Sequence, residues 1–326
     1  MTKQRPDRLT RNGLINVWLY AGIMVAALGC VAPVWARAAG SLYAGPSTDP
    51  VFTVITPHLL GAMFPEQRLD GVAVDDGAAA VQRVAAEPAS AAIADLATML
   101  GYLTEKKLPA DRLEFHGPIG AHCAVAFARR DGWVRAFGDV VTAEGAPRPV
   151  IGIAGPDASA LMNMLRRVEP NLATATIQSG LADEMAARVA QGSPDLLLLV
   201  AQPDLDHSLI ERIANDEHLI LLPVVTRLLA RTAADPNSGF TLQSVQSDSG
   251  LAPWSRRPVT TLCTPTGVIL RNDASPALRD AVNRAVPGVA ASLRSSLTDR
   301  VTNAASGTLH DAVGSVQGLI NRLRSD

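Results

Sequence analysis

Residues 191–224 read QGSPDLLLLVAQPDLDHSLIERIANDEHLILLPV, from Gln191 to Val224. A polar turn, Gly192-Ser193-Pro194-Asp195, feeds an apolar run at Leu196 to Val200. A second turn at Gln202-Pro203-Asp204 opens a helix, and another apolar run follows at Leu219 to Val224. Strand, helix and strand at this spacing is the crossover unit of a parallel or mixed sheet. Ligands of open α/β sheets sit at the carboxyl ends of strands, and Gln202 and Asp204 stand at one such end.

Four further strand-then-helix units precede the middle of the chain. Gly40 to Gly45 is a short strand running into Pro46-Ser47-Thr48-Asp49, with Asp49 as helix cap and Pro50 at the favoured first helical position. Gly71 to Val74 leads through Asp75-Asp76-Gly77 into an alanine-rich helix, and Ala91 to Leu96 is a third strand. A strand at Cys123 to Ala128 then ends at Arg129-Arg130-Asp131-Gly132. Near Arg148 the pattern restarts. Pro149 to Ala154 is a strand, Gly155-Pro156-Asp157-Ala158-Ser159 turns into a helix, and Ala173 to Ile177 leads through Gln178-Ser179-Gly180 into Leu181 to Ala190. Val259 to Leu270 reads as a strand returning to the first half, followed by a helix capped by Ser275 with Pro276 behind it.

The wording of residues 192–224, with Gly192, Asp195, Pro203 and the Leu221-Leu222-Pro223 close, resembles the second lobe of periplasmic solute-binding proteins. The type it resembles is the TAXI receptor of TRAP transporters, and the resemblance extends over about residues 41 to 290. It implies an α/β, bilobal type II periplasmic-binding-protein fold with two hinge crossings. Lobe I is then residues 39–130 with 258–290, and lobe II is 131–257. The implied function is capture of a small polar molecule between the lobes for membrane transporter subunits. A membrane-tethered structural or signalling protein with a degenerate site is the alternative.

The chain departs from that family at the turns that would face a ligand. Such receptors open with a Gly-Thr/Ser-Gly loop and a downstream tyrosine, whereas this chain has Gly45-Pro46-Ser47-Thr48-Asp49-Pro50 and no tyrosine after it. In lobe II a Gly-Ser-Gly-Thr-like turn is replaced by Gly155-Pro156-Asp157-Ala158-Ser159. An aspartate capping its own helix takes up the N–H groups an anion would need. Dicarboxylate or amino-acid binding is therefore expected to be weakened, and a neutral or cationic ligand, or a lost site, becomes the expectation. The candidate contacts are Ser47, Thr48, Asp75, Asp76, Gly77, Asp95, Pro156, Asp157, Ser159, Gln178, Ser179, Gln202 and Asp204. Each of them alone is as readily a cap or turn residue.

The N-terminus predicts export. Lys3, Arg5, Arg8 and Arg11 precede an apolar segment from Leu14 to Ala36 that ends in Ala36-Arg37-Ala38. A cleaved signal, a retained membrane tether and a lipoprotein at Cys30 are the three readings of this segment. Setting aside the five basic and one acidic residues of the first 38 leaves 24 against 30, a net of −6. With no basic stripe, no nucleic-acid partner is expected. No nucleophile elbow, phosphate loop, zinc spacing or dinucleotide fingerprint occurs. Binding rather than catalysis is expected, with no cofactor and no metal.

Lone histidines such as His122 and His116 read as structural. After the export segment only Trp133, Trp254, Tyr43 and Tyr102 remain as large polar aromatics, too few for a sugar or quaternary-ammonium cage. Cys123 and Cys263 lie in β-like segments that the resemblance places near the hinge. They can close a disulfide in an oxidising compartment, and two separate buried thiols are the other reading. Beyond Pro287, apolar residues from Val289 through Leu293, Leu297 and Val301 to Leu323 recur at three- and four-residue steps. An amphipathic C-terminal extension over 291–326 is expected, packed on the lobes or making a dimer or membrane-surface contact.

Overall fold

A computed structural model of the 326-residue chain describes residues 40–142, 148–155, 157–202, 207–235, 237–245 and 259–293. The N-terminal export segment and the apolar repeat beyond Leu293 lie outside the described residues. Among the described residues no helix is long and apolar enough to cross a membrane.

The strands are β1 (Gly40–Ala44), β2 (Leu69–Ala73), β3 (Ala91–Asp95), β4 (Leu113–Arg129), β5 (Val150–Ala154), β6 (Thr176–Ser179), β7 (Leu196–Ala201), β8 (Leu219–Leu222), β9 (Thr241–Val245) and β10 (Val259–Arg271). The helices are α1 (Thr56–Met63), α2 (Gly77–Ala86), α3 (Leu96–Glu105), α4 (Phe137–Thr142), α5 (Ala158–Val168), α6 (Ala182–Ala190), α7 (His207–Ala214), α8 (Arg227–Ala233) and α9 over residues 276–293.

All ten strands join in one sheet, in the order β2-β1-β3-β10-β4-β7-β5-β6, with β8 on β4 and β9 on β10. Parallel pairs (β2-β1-β3 in the first half, β7-β5-β6 in the second) flank a central antiparallel pair, β4 and β10. These two long strands divide the sheet. From Leu113 to Cys123, β4 pairs with β10; from Cys123 to Ala128 it pairs with β7 instead. Over Val259 to Cys263, β10 pairs with β9, and over Thr266 to Ile269 with β3. Two α/β halves therefore share two through-running strands.

Each half has helices on both sheet faces, so its strands are apolar on both faces rather than alternating with polar residues. Along β4 successive side chains point to opposite faces. Ala124, Ala126 and Ala128 join one core with Phe137, Met162 and Leu165; Val125 and Phe127 join another with Met185, Val189 and Ile213. The first half repeats the scheme. Leu42, Ile93 and Leu270 pack beneath α1 and α9, while Tyr43, Ala92 and Ile269 pack beneath α2 and α3.

Several elements differ from the sequence expectation. β4 begins at Leu113, ten residues before Cys123, and passes through Gly117-Pro118 because β10 pairs with it from Leu113 to Cys123. Ala173 and Thr174 fall in a 3-10 turn ahead of β6, which starts at Thr176. The last helix runs through Pro287. Its stripe of Leu278, Val282, Ala285, Val289 and Leu293 stays buried on the first-half core, and that packing outweighs the amide that proline lacks. The two cysteines are joined: Cys123 and Cys263 form a disulfide between facing register positions of β4 and β10. The bond sits where both strands pass from one half to the other. Val245 packs over it, and both cysteines are buried.

Candidate functional site

A pocket of about 270 Å³, its solvent-open mouth included, lies at the carboxyl ends of β1 and β3. It is lined by Gly45, Asp49 and Val51 after β1, Gly77 at the start of α2, and Ile93, Ala94 and Asp95 of β3. The two through-running strands add His122 and Thr266, and the second half contributes Asp157. This is where open α/β sheets hold ligands.

Local sequence explains each placement. After β1 the chain turns at Pro46, whose carbonyl accepts from the Asp49 N–H at 2.8 Å. The Asp49 carboxylate in turn accepts from the Val51 N–H at 2.7 Å, tying down the opening of the helix that continues as α1. Asp76 caps α2 by accepting from Ala79 N–H at 2.7 Å. Gly155, at φ +96°, takes a backbone conformation glycine adopts freely and turns the chain from β5 toward Asp157.

Asp157 behaves differently from the expected cap. Its side chain bonds none of the N–H groups of its own helix, α5. Instead its Oδ1 accepts from the Gly77 N–H of the opposite half, at 3.5 Å. The cause is position: α2 presents an N-terminus across the pocket, whose free N–H groups and dipole favour a carboxylate. A side chain of the second half thus occupies the anion seat of the first.

The pocket's floor is a buried ionic network. His122 Nδ1 donates to Asp95 Oδ1 at 2.8 Å, and the Thr266 hydroxyl donates to the same oxygen at 2.9 Å. Asp95 and Thr266 face each other in the β3–β10 register, and Thr266 is wholly buried. Next to them Thr264 accepts from the Ala97 N–H at 3.1 Å, fastening the start of α3 to β10. The His122 side chain is only 10% exposed, held by its Nδ1 bond to Asp95.

Burial pulls the His122 imidazolium down. The Asp95 carboxylate, through charge and hydrogen bond, overrides this with help from Asp157 and Asp49, lifting the pKa to about 9. Asp157 moves upward as well, to about 6. Burial is the main cause, opposed by His122 and reinforced by the like charges of Asp95 and Asp49, with the Gly77 N–H pulling down. At neutral pH His122 is a cation with both ring nitrogens protonated, and its residue lines the pocket.

Of the residues named from sequence, Gly77, Asp95 and Asp157 line this pocket. Ser47 and Thr48 are exposed on the turn after β1, Asp75 is exposed beside the cap Asp76, and Ser159 is exposed on the first turn of α5. Gln178 accepts from Arg188, Ser179 is exposed at the end of β6, and Gln202 is buried at the end of β7. None of these lines the pocket. Pro156 and Asp204 lie outside the described residues. Sequence reasoning passed over His122 and Thr266, and read Asp49 as a cap alone. The available signal was a histidine inside the apolar run of β4, since a buried imidazole needs a partner.

No protein-family model matches the chain, and no curated protein matches it. Among solved structures it is similar to the substrate-binding protein of an amino acid ABC transporter, at 12% identity over 80% of this chain and 98% of that one, with a TM-score of 0.43. It is similar also to a binding-protein component of an ABC phosphonate transporter from Pseudomonas aeruginosa, at 11% identity over 74% and 72% of the two chains, TM-score 0.42. A third likeness is to YhfZ from Shigella flexneri, at 11% identity over 80% and 96%, TM-score 0.46. These are likenesses of distant chain course, and the chemistry of this cleft rests on its own residues.

Proposed function

We propose that this chain is an exported solute-binding protein that captures a small polar metabolite between its two halves and delivers it to a TRAP-type secondary transporter. The observation that carries the reading is the polar pocket at the ends of β1 and β3, with one wall, Asp157, supplied by the other half. A ligand seated there touches both halves, so binding favours their closure. Export rests on the basic and apolar N-terminal pattern, and the TRAP partner on the resemblance of residues 192–224 to TAXI receptors.

Binding fits the pocket chemistry better than catalysis does. An imidazole acts as a general base only when unprotonated near the working pH, and Asp95 holds His122 protonated. The lining offers no serine or cysteine nucleophile, and its one hydroxyl, Thr266, is committed to Asp95.

Native mass spectrometry of the chain purified from a periplasmic preparation tests the reading. The expected result is an extra mass that leaves on denaturation. A bare chain with no thermal shift across organic acids, amino acids and polyamines overturns it.

One observation favours a second reading, a membrane-tethered interaction protein that reuses the fold. Asp157 sits on Gly77, the seat an anionic ligand would take. An N-terminus retained in the mature protein, together with a co-purifying protein partner, would support that reading; a cleft ligand found in the first experiment would remove it.

A further inference from the structure

The antiparallel ladder between β4 and β10 ends at the disulfide. Cys123 and Cys263 are its last facing pair; beyond them β4 runs beside β7 and β10 beside β9. Just inside the bond His122 faces Thr264 and Ala121 faces Pro265, followed by Gly120 with Thr266 and an irregularity in register between Thr266 and Val268. This end of the ladder is weak by composition. Pro265 has no N–H to donate, and a register irregularity interrupts pairing locally. Thr264 and Pro265 also fall between the β9 ladder, which stops at Cys263, and the β3 ladder, which starts at Thr266. A covalent bond holds what the backbone holds weakly.

The segment held in this way carries the floor of the pocket. His122 reaches across β10 to Asp95 on β3, at 2.8 Å, and Thr264 accepts from the Ala97 N–H at the start of α3, at 3.1 Å. A second observation concerns access to the sulfurs. Both cysteines are buried, and Val245, the last residue of β9, packs over them. The other four residues of β9 are exposed, and among the described strands it pairs with β10 alone. A strand held along one edge by one buried side chain opens far more readily than the whole fold.

We propose that the Cys123–Cys263 bond is a redox-operated clip on the pocket floor, opened by a dithiol reductant that enters where β9 lifts. A thiolate of the reductant attacks one cysteine sulfur, forming a mixed disulfide and expelling the other cysteine as a thiolate that takes up a proton. The reductant's second thiol, deprotonated, then attacks the mixed disulfide. It closes the reductant's own disulfide and releases the remaining cysteine as a thiol. Two electrons pass from the dithiol to the protein. With the bond broken, His122 and Thr264 part from Asp95 and Ala97, and the pocket loses its floor while the cores of both halves stay packed.

Hydrogen exchange read by mass spectrometry tests this on the purified full chain at pH 7.5, oxidised and after dithiothreitol. Reduction is expected to speed exchange across residues 120–123 and 263–266 and to leave 113–116 and 268–271 protected. A Cys123→Ala/Cys263→Ala chain should give the reduced pattern without any reductant. His122, which keeps its proton up to about pH 9 in the oxidised chain, should titrate lower by NMR once the bond is gone.

Timed alkylation of the freed thiols tests the route. Val245→Ala removes two methyl groups from the cover and should speed reduction about tenfold. Ser244→Ala, exposed on the same strand, should react as wild type. Equal rates in Val245→Ala and wild type overturn the inference. So does reduction that leaves exchange unchanged, raises it uniformly along the chain, or unfolds the chain by circular dichroism, each of which makes the bond inert or a staple of the whole fold. None of these readouts uses a cleft ligand, so their outcome is separate from that of the solute-binding reading.

Discussion

His122 and Asp95 show how one buried pair can set the pH response of a site. The folded pKa of His122 stands at about 9, above the ordinary histidine value of 6.5. A raised histidine contributes stability that is fully present below the unfolded pKa and is lost as pH rises through the folded one. The melting temperature should therefore fall between about pH 6.5 and 9, and a His122→Gln variant should show a flatter profile over that window. Asp95→Ala removes the acceptor of both the ring and the Thr266 hydroxyl. Breaking a buried pair in this way should cost about 3–5 kcal/mol in a urea unfolding series. Asp95 was legible from sequence because it ends an apolar strand and opens a helix. Its partner was not, because His122 meets it only through β10, which pairs with both β3 and β4. A lone histidine in a β-run carries no mark of what will face it.

At the level of elements, strands with apolar runs and turns with glycine or aspartate were readable: β1, β3, β5, β7 and β10 fall within a residue or two of expectation. What escaped notice were elements whose signal is supplied by neighbours. β9 is exposed over its first four residues and exists because β10 offers it an edge. α8 is short, and its start depends on a cap. The Thr226 hydroxyl oxygen accepts from the Leu229 N–H at 3.1 Å while the hydroxyl donates to the buried carboxylate of Glu169. Thr226→Ala should destabilise the fold by about 1–2 kcal/mol through the lost cap. The orphaned Glu169 adds to that loss, and Thr226→Ser should restore most of it in the same denaturation assay.

For the whole molecule, the two halves are coupled through charge as well as through strands. Asp157 has a folded pKa of about 6 against an ordinary 3.8, so the closed arrangement gains stability that is complete below 3.8 and is lost as pH rises through 6. Small-angle scattering of the ligand-free chain should show a larger radius of gyration at pH 7.5 than at pH 5. In Asp157→Asn the two values should coincide. The division of the sheet into two α/β halves was legible because strand–turn–helix units recur on both sides of residues 129–148. The pocket was legible only in part, because its composition depends on which strand ends the sheet order brings together.

The Cys123–Cys263 disulfide closes a loop of 140 residues in sequence separation. Replacing both cysteines by alanine should lower the unfolding free energy by about 2–5 kcal/mol through the freed denatured chain. The bond has a further consequence, for survival rather than stability. Nearly the whole second half, from β5 through β9, hangs within that covalent ring. A protease that cuts once anywhere inside the ring leaves two fragments that stay bound through sulfur and run as a single band until a reductant is added. The same cut before Cys123 or after Cys263 releases a piece at once. The chain is thus tolerant of damage on one side of its fold and vulnerable on the other.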